Sequence, residues 1–179
     1  MSRRRRERAG RKRSPDPLAD LWADLGISAD YALARGMPRQ REAGRLVRVG
    51  PACRLAPGAA RAWKRMVAAA QADGITLRPL SGFRSVRRQA WVIRRKLARG
   101  ARLATILRSN AAPGCSEHHT GCAVDVGDDA SAPLEATFAR TKAFRWLRRN
   151  AGRFGFRLSY PRGNRQGLVY EPWHWRWRG

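Results

Sequence analysis

Between Ser116 and Asp125 the chain reads SEHHTGCAVD, which gathers two of its three histidines, His118 and His119, with Cys122 and Asp125 into one short stretch. Imidazole, carboxylate and thiolate are the side chains that bind zinc, and a catalytic zinc takes about three of them while keeping one position open for water. His118 and Asp125 supply two such donors, and Gly121 between them permits the turn that would aim both at one point. His174, in EPWHW near the C-terminus, is the remaining histidine and hence the remaining imidazole for a third donor. Alternate side chains of a strand face opposite ways. Trp173, Trp175 and Trp177 would therefore form an apolar wall, with His174 and Arg176 facing together toward a polar site. Glu171 precedes His174 with Pro172 fixing the turn between them, a placement from which a carboxylate reaches a reacting water without being a ligand, as a general base requires.

The same residues admit two other assignments. His119 is a rival ligand to its neighbour His118. Cys115 and Cys122, joined by either histidine and a fourth group, would make a structural zinc knot in a basic nucleic-acid-binding module. The Trp/Arg interleaving of WHWRWR resembles a base-stacking surface and favours that alternative. Against it, the Cys-x2-His-x3-Cys spacing lacks a second spaced pair, and Asp125, Glu171 and the segment SGFRS are left without a task.

The elements that must position these residues follow from periodicity and punctuation. A short helix is expected around Leu18, Leu21, Trp22 and Leu25, then a connection ending in RLVRVG. Trp63, Met66, Val67 and Ala70 recur at helical spacing between Pro57 and Gly74, and ITLRPLSGF alternates as a strand does, broken at Ser81-Gly82. Val86, Ala90, Ile93 and Leu97 line one side of a further helix that ends at Gly100. APGCSEHHTG reads as loop and CAVDV as a strand; a helix is expected over residues 133–151 through Leu134, Phe138, Phe144 and Leu147. Strands are expected in FRLSY, GLVY and WHWRW. Strands clustered late, without a repeated βαβ rhythm, predict an α+β domain whose small, mainly antiparallel sheet is flanked by helices.

With 179 residues and 43% apolar content, the chain can bury one core, so a metal would serve chemistry rather than hold up a miniature fold. The formal charge of +25 predicts attraction to polyanions, whether nucleic acid, anionic lipid or an envelope polymer. Part of that charge lies in SRRRRERAGRKR, so residues 1–16 read as a basic disordered tail that can touch an anionic polymer, and residues 17–45 as a helical and connecting segment. Cys53, Cys115 and Cys122 cannot all pair within one chain, and free, partly buried thiols are expected. No apolar segment suited to a secretory signal follows the tail, nor any run long enough to span a membrane. As written, the chain is expected to be a soluble, cytoplasmic monomer; another start site or export route would place it in the periplasm or cell envelope.

SGFRS, SEHHTGCAVD and EPWHW, in that order, resemble the three signatures of the VanY-type zinc D-alanyl-D-alanine carboxypeptidases, and the likeness runs from about Leu46 to the C-terminus. The resemblance implies the small α+β fold shared by the hedgehog signalling domain and the DD-peptidases, over residues 46–179. It implies one zinc per chain held by His118, Asp125 and His174, with Glu171 as catalytic base and Arg84 facing the scissile carbonyl. Ser116 and Gln89 are then expected as polar contacts to the substrate or to the ligands, Tyr160 as a pocket residue, and His119 as a residue of the cleft or one that supports the ligands from behind. The implied substrates are peptidoglycan stem peptides or muropeptides, from which a C-terminal D-amino acid is released.

Overall fold

Local sequence sets the ends of the elements. The structure, a computed structural model, describes residues 16–179, so the expected tail lies, apart from Asp16, outside the described residues. Asp16 caps helix α1 (Pro17–Leu25) by accepting from the Leu18 N–H, and Gly26, at φ 72°, ends it. A single turn, α2 (Tyr31–Ala34), and a two-stranded ribbon, β1 (Val47–Arg48) with β2 (Arg54–Leu55), lead to helix α3 (Pro57–Ala72). Helix α3 buries Trp63, Met66 and Ala70 at the expected spacing. After β3 (Arg78–Ser81), Ser85 caps α4 (Val86–Ala98) by accepting from the Arg88 N–H.

Three expectations are corrected at this level. Helix α5 (Leu103–Ser109) was not anticipated: no side chain caps its start, and it stands by burying Ile106 and Leu107. The single helix expected over 133–151 is instead a 3-10 turn (Ala136–Arg140), helix α6 (Lys142–Asn150) and a second 3-10 turn (Ala151–Phe154). Thr141 makes the break, because its backbone is extended and its hydroxyl accepts from the Phe144 N–H as the cap of α6. Leu134 lies outside all three pieces, exposed and at φ 58°. GLVY is not a strand: Val169 N–H is satisfied by the Arg108 carbonyl and Leu168 N–H by Asn164 Oδ1, both loop bonds.

Strand β4 (Ala123–Gly127) and two later strands, β5 (Phe156–Leu158) and β6 (His174–Trp177), complete a four-stranded antiparallel sheet in the order β3-β4-β6-β5. Helix and small antiparallel sheet together make the expected α+β architecture. Val124, Val126, Phe156 and Trp175 pack from the sheet against Trp63 and Met66 of α3 and Leu147 of α6, forming one core cluster. A second cluster joins Trp22, Tyr31, Ala90, Ile93, Ile106, Cys115 and Tyr160. Among the described residues no helix is long and apolar enough to cross a membrane.

Candidate metal centre

The register of two strands builds the site. Asp125 on β4 pairs with His174 on β6, and Val124 pairs with Trp175, so the polar pair and the core pair take opposite faces. Val124 and Trp175 lie in the core, with Trp173 and Trp177 packed against it, as the period of two predicts. His118 arrives from a 3-10 turn (Glu117–Thr120) that Gly121 closes at φ 65°. A Cβ on Gly121 would come within 2.9 Å of the Ala56 amide nitrogen, so both conformation and space require glycine there.

Asp125 lies at the middle of the trio. Its Oδ2 is 3.2 Å from His118 Nε2 and its Oδ1 is 3.0 Å from His174 Nδ1. The ligand atoms of all three residues fall within 4.8 Å of one another, and all three residues are buried. Each Asp125 oxygen thus stands beside one imidazole nitrogen, at a spacing close to the roughly 3.4 Å that separates donors of a tetrahedral zinc with bonds near 2.1 Å. His118 Nδ1 donates to the Gly82 carbonyl at 2.6 Å, which leaves the Nε2 lone pair turned toward Asp125. Two neutral-capable imidazoles and one carboxylate, each oriented by its surroundings, fit a divalent zinc.

The electrostatics follow from burial set against close partners. Burial alone would raise the Asp125 carboxyl, but the two imidazoles outweigh it and hold the group far below the usual carboxylate range. Burial likewise works against a charged His174, yet hydrogen bonds to Asp125 and Glu117 hold it up at about 10 without a metal. His118 goes the other way: burial dominates and keeps its imidazole neutral. Glu171 is raised to about 7, first by burial, with the pull of His174 3.9 Å away only partly opposing it. A carboxylate in that range is suited to take a proton near neutrality. Its position is fixed by its own N–H on the Tyr160 carbonyl and by the His174 N–H on its carbonyl, each 3.1 Å.

A cleft of about 300 Å³ opens onto the trio, and Arg84, Ser116, Tyr160, Glu171 and Lys96 stand in its wall. Arg84 is half-buried, and its buried Nε has no hydrogen-bond partner among the described residues. Tyr160 leans on His174 with ring centroids 4.7 Å apart. His119 and Gln89, expected in the cleft or in contact with substrate or ligands, stand behind its wall. His119 Nδ1 donates to the Arg84 carbonyl at 2.5 Å while its Nε2 accepts from the Gly114 N–H at 3.0 Å, so neither ring nitrogen is available as a ligand. Gln89 is fully buried and donates to the carbonyl of Ala111 at 2.6 Å. The zinc-knot arrangement is also corrected: Cys115 belongs to one core cluster and Cys122 packs against the other. The indoles of WHWRWR are engaged within the fold rather than set out as a stacking surface: Trp175 lies in the core, and Trp173 and Trp177 pack partly buried against it.

Two residues of the site had not been singled out from the sequence. Glu117 sits beside the candidate donor His118 inside the motif itself, which was the available signal; Lys96 reaches the cleft only through the placement of α4, for which local sequence holds no mark.

An imidazole, carboxylate, imidazole trio with a second carboxylate beside it, carried on a small α+β scaffold, is a donor set that a single divalent metal ion could take. The family model for VanY, D-alanyl-D-alanine carboxypeptidase, matches residues 52–179, and the chain belongs to that family. It is 36% identical over 126 residues to YodJ of Bacillus subtilis (strain 168); the match covers 68% of this chain and 45% of that one. The chain thus spans less than half the length of that relative. Among solved structures it is similar to the vancomycin resistance D,D-pentapeptidase VanY from a VanB-type cassette, a mutant in complex with Zn(II), at TM-score 0.66 and 30% identity over 80% of this chain and 83% of that one. It is equally similar to the LD-carboxypeptidase LdcB, at TM-score 0.67 and 30% identity over 79% and 66% of the two chains.

Proposed function

We propose that this chain is a zinc carboxypeptidase that releases the C-terminal D-amino acid, D-alanine, from peptidoglycan stem peptides, with one zinc per chain held by His118, Asp125 and His174. The observation that carries this reading is the presence, in one cleft, of the donor trio, a carboxylate raised to about 7 and a guanidinium whose buried Nε is unpaired among the described residues. Bound at the trio, zinc would supply Lewis-acid polarisation of the scissile carbonyl and acidify the attacking water. Glu171 accepts the proton of that water and returns it to the departing amine nitrogen. Arg84, with no competing partner at Nε, donates to the oxyanion as it forms; one such donor is typically worth on the order of 3 kcal/mol. Ser116 and Lys96 offer a hydroxyl and an ammonium to a free terminal carboxylate, and Leu168, Val169 and Trp173 give the cleft its apolar side.

The test is metal content and amino-acid release on synthetic tetrapeptide and pentapeptide stems. The native protein is expected to carry about one zinc per chain and to cut at least one stem, which then names the substrate. Glu171→Ala is expected to keep its zinc and lose roughly a thousandfold in turnover, within the usual range for a general base; His174→Ala is expected to lose the zinc. A native protein that cuts neither stem, with zinc undiminished in His174→Ala, overturns the reading.

A further inference from the structure

Glu117 is a buried carboxylate against the donor trio to which the mechanism above gives no task. Both of its oxygens are engaged. Oε2 lies 3.0 Å from His174 Nε2 and accepts from the Ser159 hydroxyl at 2.5 Å, while Oε1 accepts from Arg176 Nη1 at 3.0 Å. Arg176 also donates, through Nη2, to Gln40 Oε1 at 3.2 Å, and Gln40 is itself pinned by its N–H on the Gly114 carbonyl at 2.7 Å. His174 is thus held at both ends of its ring: Nδ1 faces Asp125 inside the trio, and Nε2 faces Glu117 outside it.

An imidazole that binds a metal through one nitrogen carries its proton on the other, and the acceptor facing that proton fixes both the tautomer and the direction of the ring. Of the carboxylates meeting His174, Asp125 is spent on the trio, and Glu171 stands 3.9 Å from Nδ1, on the wrong side to accept from Nε2. The charge of Glu117 does not depend on His174 alone, since Ser159 and Arg176 also donate to it. The support reaches beyond the matched domain: Gln40 precedes residue 52, where the family match begins.

We infer that Glu117 is a positioning residue that holds His174 as the Nε2–H tautomer with Nδ1 presented to the metal, and that the Arg176–Gln40 link braces it from the N-terminal segment. This rests on the zinc reading above. The experiment is zinc affinity by competition with a chromophoric chelator, on the full chain and its variants, with the melting temperature of each metal-free protein as a control for folding. Glu117→Ala is expected to weaken zinc binding about 10–100-fold, as loss of such an acceptor typically does. Glu117→Gln, which keeps an oxygen for Nε2–H, should lose less, and Gln40→Ala less again. Glu117→Ala within twofold of the native affinity overturns the assignment while the zinc site stands. A native chain that binds no zinc overturns the zinc reading, and this assignment with it. Long-range nitrogen-15 spectra of the zinc-loaded native protein give a result independent of any variant's folding: protonated Nε2 and metal-bound Nδ1 on His174 are expected, and the reverse assignment overturns the inference.

Discussion

His174 lies 3.0 Å from Asp125 on one side and 3.0 Å from Glu117 on the other, and without a metal these contacts outweigh the cost of burying its charge. Its folded pKa of about 10 stands above the ordinary 6.5, so the folded chain binds the extra proton more tightly than the unfolded chain. That contribution to stability is complete below pH 6.5 and is lost as pH rises through about 10. The melting temperature of metal-free protein should therefore fall across this interval. If zinc binds through His174 Nδ1, its affinity should rise over the same interval, by up to about tenfold per pH unit, because the ion would have to displace the Nδ1 proton. Glu171, also raised, gives a loss of the same sign between 4.5 and about 7, so the measurement belongs in a Glu171→Gln background, read by thermal melts and chelator competition. A flat profile there would show that His174 is not held charged. Residue type, a turn glycine and the period of a strand made His118, Asp125 and His174 candidates for one site, and the resemblance of the three motifs, rather than spacing, set His118 above its neighbour His119. Glu117 was not, since its partners Ser159, His174 and Arg176 are 42, 57 and 59 positions away.

Elements that carry their own punctuation were legible, and those made by packing were not. Pro57 and Gly74 bracket α3, and Ser85 with Gly100 brackets α4, so periodicity and end signals agree. Helix α5 has no cap and is seven residues long, below the length at which an isolated helix holds in water. Its existence depends on Ile106 and Leu107 joining Trp22, Ile93 and Tyr160 in the second cluster. Ile106→Ala should accordingly cost about 2–5 kcal/mol in chemical denaturation, the range for a fully buried aliphatic truncation. Leu33→Ala, at a site 86% exposed, should stay within about 0.5 kcal/mol. Similar costs at the two sites would mean that α5 is not anchored by that cluster. The broken helix at Thr141 teaches the converse. Phe138, Phe144 and Leu147 are apolar at helical spacing and mostly buried, yet a hydroxyl placed to cap the second half competes with continuity and wins.

At the scale of the molecule, the site joins the sheet to the loop that the N-terminal segment covers. Asp125 and His174 come from strands packed on the first cluster, while His118 follows Cys115, which belongs to the second. An ion bound by all three binds the folded chain and not the unfolded one, so zinc at a hundred times its dissociation constant should stabilise the protein by about 2.7 kcal/mol. Chelation should lower the melting temperature, added zinc should restore it, and His174→Ala should abolish the difference. The net charge of +25 acts on the same measurement, because its self-repulsion opposes the compact state and is screened by salt. Salt should raise the melting temperature of the metal-free and the zinc-loaded protein alike. The increment due to zinc should change little, since the three candidate donors are buried and screened far less than surface charge. An increment that shrank with salt as steeply as the surface term does would place the ion on the exterior, and the trio of His118, Asp125 and His174 would then not be what holds it.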